Sequence, residues 1–466
     1  MTMHFDASET ILVIGLGKSG LACVDVLSAR GAKVFATDEK PVGSLGEAIA
    51  YVEAHGAQFV RPEDLAAIVP SLSSAVLSPG VPLTSAPVRV VQARDVPVLG
   101  EVEVAYRLCR AQIIAVTGTK GKSTTTALIG HLLRAAGKNV RVGGNIGNPL
   151  IREVLDATPS DWVVAEVSSF QLETIRAFRP RVAVVLNIAP DHLDRYPSMD
   201  EYAEAKFRIF ANQGMHDAFV GNLDDRRIAQ LHWGQGEGRA QARQLWFTTG
   251  DHHERATMYL RGDEIVYAPI DGDPRPVTML SRRDVPLAGE HNVQNVMAAL
   301  LAALAIGCDP ASLRTGVRTF EPMKHRLQPV GEFDGVLYVD DSKATNPGSV
   351  DAALHSYARP IVLIAGGKSK GTDFRELGDS IADLAKAVVL IGEAAGEIEA
   401  AIAGRVPIES AASMTEAVSR ARALTVSGDV VLLSPGCASF DMFRSAEDRG
   451  EQFSAAVAAF GQRADA

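Results

Sequence analysis

Ile113-Ile114-Ala115-Val116-Thr117-Gly118-Thr119-Lys120-Gly121-Lys122-Ser123-Thr124 is the stretch whose reading decides the fold. A β-branched run gives way to a Gly-rich turn, and the Thr- and Leu-rich residues that follow take up a helical pattern. A strand that ends in such a turn and opens a helix aims backbone N–H groups and a helix N-terminus at one point, which suits phosphate oxygens. At these positions Lys122 neutralises β/γ-phosphates and Ser123 ligates Mg²⁺. The strict spacing G-x-x-x-x-G-K-S fails because Val116 holds the first Gly position. The turn is a shortened relative of the P-loop.

Short apolar runs alternate with amphipathic helical stretches on both sides of this turn, predicting an α/β fold of parallel sheets covered by helices. Upstream, Ile11 to Ile14, the glycines Gly15, Gly17 and Gly20, and a second strand ending at Asp38 form one β-α-β unit. They match the dinucleotide fingerprint, with Asp38 placed to hold a ribose hydroxyl. Any tight β-α turn can use such glycines, so the match alone is weak. Downstream, Asp161 to Val167 and Arg181 to Ile188 read as strands of the central sheet. Glu166 and His192 then fall at or beyond strand ends, where an open α/β sheet places ligand-binding residues and where a carboxylate suits Mg²⁺. Thr257 to Leu280 alternates in the strand period, predicting a small antiparallel insertion, and His232 to Arg243 reads as a loop. A third unit begins near Val336; Asp341, Lys343, Thr345, Lys368 and Lys370 follow its strands and build a cationic wall for an acidic substrate.

At ~150 residues per domain, 466 residues give about three. Boundaries near Glu101 and Pro322 yield domains 1–102, 103–322 and 323–466. The formal charge of -10 opposes nonspecific binding to nucleic acid or anionic membrane. Met1 to Thr10 lacks a secretory pattern, and the longest apolar run, Val296 to Gly307, is too short to span a bilayer. The reading is cytoplasmic and monomeric, with reduced Cys23, Cys109, Cys308 and Cys437 forming neither a disulfide framework nor a zinc knuckle. His252-His253 sits in a charged loop and reads as solvated.

The motifs T-G-T-K-G-K-S-T, G-G-N-I-G, E-V-S-S-F-Q-L-E, D-H-L-D-R-Y, H-N-x-x-N from His291, D-S-K-A-T-N and S-P-G-C-A-S-F-D resemble those of the Mur ligases, the ATP-dependent amide ligases of peptidoglycan precursor synthesis. D-S-K-A-T-N, S-P-G-C-A-S-F-D and the G-x-G-x-x-G first domain resemble the D-glutamate-adding branch. The resemblance implies a Rossmann-like first domain holding the UDP of UDP-N-acetylmuramoyl-L-alanine through Lys18, Ser19, Asp38 and Gly80, with Asn145 facing the same substrate. It implies a central ATPase domain in which Gly118, Thr119, Lys120, Gly121, Lys122, Ser123 and Thr124 cradle ATP. Ser123, Glu166, His192 and a carbamylated Lys206 would serve two Mg²⁺ ions. Asn292, Asn295, Arg326 and Asp341 match nucleoside positions. In a Rossmann-like third domain, Lys343, Thr345, Lys370, Ser439 and Phe440 match those around the transferred phosphate and D-glutamate. Lys120 stands where the family commonly has Asn, and Ala446 where an aromatic can flank the amino-acid pocket. The rival readings are another Mur ligase, a folylpolyglutamate synthetase-like ligase, an NAD-dependent oxidoreductase and a noncatalytic nucleotide switch.

Overall fold

A computed structural model describes residues 4–191, 195–231, 242–251, 253–270, 275–369, 371 and 373–464. The chain divides into two compact units, Met1–Arg282 with Gln294–Val317, and Arg283–Val293 with Arg318–Ala466.

The first unit holds two sheets. Strands β1 (Thr10–Ile14), β2 (Lys33–Thr37), β3 (Gln58–Phe59), β4 (Ser74–Leu77) and β5 (Val98–Gly100) form a parallel sheet of order β3-β2-β1-β4-β5. The turn after β1 depends on its glycines: Gly15 has φ +92°, and a Cβ on Gly20 would lie 1.8 Å from the Gly15 carbonyl oxygen. Helix Lys18–Ala29 therefore packs close against β1 through a hydrogen at position 20.

The second sheet comprises β6 (Gln112–Thr117), β7 (Val140–Gly144), β8 (Trp162–Glu166), β9 (Val182–Val185), β10 (Ala218–Asn222), β11 (Arg243–Thr248), β12 (Met258–Arg261), β13 (Glu264–Tyr267) and β14 (Val277–Ser281). Its order is β14-β13-β12-β11-β10-β9-β6-β8-β7. It is parallel from β7 to β12 and antiparallel through β13 and β14. The antiparallel segment expected from Thr257 onward thus extends the edge of the central sheet. Most of the loop expected from His232 to Arg243 lies outside the described residues, as does His252. The apolar run from Val296 is a buried helix, Glu290–Ala305, with no residue from Val296 to Ala303 measurably exposed. No helix among the described residues is long and apolar enough to cross a membrane. None of the four cysteines is in a disulfide.

The second unit's sheet runs β15 (Gln328–Phe333), β16 (Val336–Asp340), β20 (Val430–Leu433), β17 (Ile361–Gly366), β18 (Ala385–Ile391), β19 (Ile408–Ser410). Only β15 is antiparallel to its neighbour. Both faces are buried, as the continuous Val/Ile/Leu runs of β17, β18 and β20 require.

Within the first unit, one apolar cluster runs from Phe5 to Trp246. Two carboxylates of helix Glu101–Leu108 are buried against it. Glu103 accepts backbone N–H bonds from Arg176, Ala177 and Phe178 at 2.8–3.0 Å and a 2.7 Å bond from Arg107. Glu101 is poorer: Oε1 accepts from Ile151 N–H at 2.7 Å, while Oε2 is buried without a partner. Burial pushes its carboxyl from an ordinary 4.5 up to about 7, and the N–H groups of Ile151 and Leu150 offset only part of this.

A carboxyl that binds its proton more tightly when folded contributes stability fully below the unfolded value and loses it as pH rises through the folded one. Glu101→Gln cannot ionise. Denaturant titrations should show the wild type losing on the order of 3 kcal/mol relative to Glu101→Gln between pH 4.5 and 8. A difference independent of pH would mean that Glu101 is not the protonated group.

Candidate active site

The phosphate loop opens where β6 ends, between β9 and β8 of the central sheet. Gly118 has φ +151° and Gly121 φ +81°, and Gly121 caps helix Lys122–Ala135. A Cβ on Gly121 would lie 2.3 Å from Asn295 Oδ1, which also accepts from Thr125 Oγ1 at 3.2 Å. Asn295 therefore packs directly on the loop. Asn187 pins the Lys120 backbone from below, accepting its N–H at 2.8 Å and donating to its carbonyl at 3.1 Å. Thr119 Oγ1 is bracketed by Ala189 N–H at 3.0 Å and Tyr202 Oη at 3.2 Å.

Two ammonium groups converge on this loop. Lys122 donates to the carbonyls of Gly118 and Thr119 at 2.9 and 2.8 Å, and Lys206 donates to Gly118 at 2.9 Å. Lys206 is buried on helix Met199–Phe207 with its Nζ 4.6 Å from the Tyr202 ring centroid. Burial first, then the charge of Lys122, lowers its pKa to about 7, opposed by the charges of Asp191 and Glu166.

Glu166 ends β8, in register with Val116 of β6. Its Oε1 accepts from Asn145 Nδ2 at 2.8 Å; its Oε2 is buried without a partner. An anionic oxygen in that condition is costly unless a cation satisfies it. Ser123, also buried, is the second residue of the helix that follows the loop, and a hydroxyl and a carboxylate are the hard-oxygen chemistry a divalent cation takes. No group of three His, Cys, Asp or Glu side chains suited to a metal occurs among the described residues. His192 lies outside those residues.

Asn145 was expected beside a UDP substrate. Its side chain meets Glu166, while its loop also reaches the first sheet, where Lys18 Nζ donates to the Gly147 carbonyl. Ser19 is half-buried on the same helix and Gly80 is exposed. Asp38 is engaged by the backbone, accepting from Leu16 N–H at 2.7 Å and Lys40 N–H at 2.9 Å.

In the second unit, the loops after β16 and β20 are tied at the carboxyl edge of the sheet. Arg449, fully buried, donates to Ser342 Oγ at 2.9 Å, the Ser342 carbonyl at 2.8 Å and the Cys437 carbonyl at 3.1 Å. The loop after β17 joins them through paired backbone bonds between Lys368 and Ala438. Asp341 is buried, accepts from Ser434 Oγ at 2.9 Å and Leu327 N–H at 3.2 Å, and is pushed up to about 7 by desolvation. Arg326 stands between His325 and Leu327, both at positive φ (63° and 44°), a conformation uncommon outside glycine. His325 Nδ1 lies 2.7 Å from Asp340 Oδ2. Asn292 donates to the Ala288 carbonyl at 2.6 Å. Lys343 pairs with Glu447, Thr345 is half-buried, Ser439 is buried and Phe440 is 71% exposed. Lys370 lies outside the described residues.

Sequence reasoning missed Tyr202, Asn187 and Arg449. Tyr202 had a usable signal, one helical turn before Lys206; Arg449, 107 positions from Ser342, had none. Arg449→Met should lower stability by about 2–6 kcal/mol, since at least two buried carbonyls lose their donor at about 1–3 kcal/mol each. Arg449→Lys should recover only part, lacking the planar fork. A loss below about 1 kcal/mol in chemical denaturation would contradict this.

Three family models match the chain: Mur ligase MurD-like, N-terminal domain, over residues 9–100; Mur ligase middle domain over 116–303; and Mur ligase, glutamate ligase domain, over 325–437. A UDP-N-acetylmuramoylalanine–D-glutamate ligase of Pelotomaculum thermopropionicum is 46% identical over 451 residues, covering 96% of each chain. One of the same name from Acidobacterium capsulatum is 41% identical over 454 residues, covering 96% of this chain and 95% of its own. Among solved structures, UDP-N-acetylmuramate-alanine ligase from Thermotoga maritima matches with TM-score 0.59 at 19% identity, over 98% of this chain and all of its own. MurF from Acinetobacter baumannii matches with TM-score 0.60 at 18% identity, over 95% and 93%. These two speak for the fold.

Proposed function

The chain belongs to the Mur ligase family, and from that membership we propose that it joins D-glutamate to UDP-N-acetylmuramoyl-L-alanine at the expense of ATP, in the cytoplasm and as a monomer. The near-full-length likeness to ligases of that name carries the reading. We assign UDP binding to residues 1–102, ATP to 103–322 and the amino acid to 323–466.

A carboxylate does not condense with an amine at neutral pH, because its leaving group would be oxide. Transfer of the ATP γ-phosphoryl group to the L-alanyl carboxylate forms an acyl phosphate and ADP. The D-glutamate amine then attacks the carbonyl carbon, loses a proton and expels phosphate, leaving the amide. Positioning and charge compensation are what the protein must supply. Lys122 leaves the loop carbonyls for the β/γ-phosphates, and the N–H groups of Gly118 to Thr124 orient them. Mg²⁺, when bound, offsets phosphate charge, and Ser123, Glu166, His192 and Lys206 would hold it. Lys206 fits that role only as a carbamate: the ammonium first loses one proton, and the neutral amine then bonds to the carbon of CO₂ and releases a second, so that a cation becomes an anion. Asn292, Asn295, Arg326 and Asp341 are assigned to the nucleoside. Lys18, Ser19, Asp38, Gly80 and Asn145 are assigned to the UDP substrate, and Lys343, Thr345, Lys370, Ser439 and Phe440 to D-glutamate and the transferred phosphate.

Phosphate release from ATP in the presence of UDP-N-acetylmuramoyl-L-alanine should require D-glutamate; release indifferent to the amino acid would defeat the reading. Lys122→Ala should cost 10²–10³ in kcat, about 3–4 kcal/mol of transition-state stabilisation. More than a tenth of wild-type turnover would remove Lys122 from the phosphate site. Protein equilibrated with ¹³C-bicarbonate should give one carbamate resonance that Lys206→Ala lacks. Short-chain carboxylic acids should partly restore that variant's activity. An intact enzyme with no such resonance would leave Lys206 an amine.

A further inference from the structure

Lys343 is assigned above to the amino-acid site, yet its ammonium is engaged by the carboxylate of Glu447. Glu447 stands in the first turn of helix Ala446–Ala464, and the residues around the pair are fixed by buried contacts. Ser342, next to Lys343, donates its hydroxyl to the Ala446 carbonyl at 2.7 Å, and the same hydroxyl accepts from Arg449 at 2.9 Å. Lys343 N–H is held by the His325 carbonyl at 3.1 Å. The backbones of both partners are therefore fixed independently of the ion pair. The pair itself is open to water, with side chains 33% and 53% exposed. Lys343 draws the Glu447 carboxyl down to about 2, so it is ionised at any working pH.

Glu447 thus presents to Lys343 the group that a glutamate substrate carries on its own side chain. We propose that Glu447 is an internal competitor for Lys343, which sets the affinity for D-glutamate by occupying the ammonium until a substrate carboxylate displaces it. The proposal rests on the reading of this chain as a D-glutamate ligase. Because buried contacts hold both backbones, Lys343 can exchange one carboxylate for the other by side-chain rotation alone. An exposed pair is cheap to break, so the exchange costs little. Glu447 also places a negative charge beside the point where an anionic substrate must arrive.

Glu447→Gln keeps the shape and removes the charge. Steady-state kinetics at low ionic strength should show the D-glutamate KM falling about two- to five-fold, the range for losing an exposed ion pair. The KM values for ATP and the UDP substrate should not move, which separates this role from a general structural one. The gain should shrink at high salt, where exposed charges are screened. Glu447→Ala should behave likewise. A D-glutamate KM that is unchanged or raised in both variants would overturn the proposal while leaving the ligase reading intact. Wild-type phosphate release that does not depend on D-glutamate would overturn that reading, and the proposal with it.

Discussion

One carbonyl oxygen, that of Gly118, receives two ammonium groups. Two unit charges ~4 Å apart repel by about 4 kcal/mol at an effective dielectric of ~20, so this convergence is sustained only if one charge is lost or an anion comes between them. The pKa of Lys206, lowered to about 7 by burial first and by the Lys122 charge second, is the first of these responses in the protein alone. A phosphate chain on the loop would be the second. The buried Oε2 of Glu166, with no hydrogen-bond partner, states the complementary need for a cation. The loop is thus charge-frustrated on both counts, and what relieves both is a polyphosphate with its metal.

Such frustration requires a loop that cannot relax by moving. Asn187 bonds both sides of the Lys120 peptide, Thr119 is bracketed by Ala189 and Tyr202, and Asn295 fills the space where a side chain on Gly121 would stand. The contacts come from the strand end after β9, from helix Met199–Phe207 and from helix Glu290–Ala305. The glycines supply the positive φ values that let the backbone turn within that frame.

This division explains what could be read from the sequence. The parallel sheets were legible because β-branched runs and intervening helical patterns are local, and the phosphate loop because its residues are consecutive. Strand ends were legible enough to single out Glu166 before any contact was known. The frame around the loop was not, because Asn187 and Tyr202 reach Lys120 and Thr119, across 67 and 83 positions respectively, and carry no pattern of their own. Spacing also could not show that β12 to β14 continue the central sheet, since alternation gives a strand's faces but not its neighbour. Asp38 matched a ribose-binding fingerprint, yet in this structure it accepts the N–H groups of Leu16 and Lys40, a turn-building use that the same residue in the same position equally serves.

Charge in this protein follows solvent access more closely than residue type. Glu103 is fully buried and saturated by three backbone N–H groups and Arg107, so it fixes the chain around residues 176–178 as firmly as a piece of secondary structure. Arg449 does the same for carbonyls in the second unit, a cation among dipoles whose charge survives desolvation because guanidinium starts from so high a pKa. Glu101, two residues from Glu103 but with half the donors, meets the same burial with a carboxyl pushed up to about 7, which keeps its proton well above the ordinary carboxylate range. Lys343 and Glu447 lie at the other limit, where water screens the pair and neither partner is committed. A buried charge that finds enough donors or acceptors becomes architecture; one that does not becomes titratable; and only charges left near water remain free to exchange partners with a substrate.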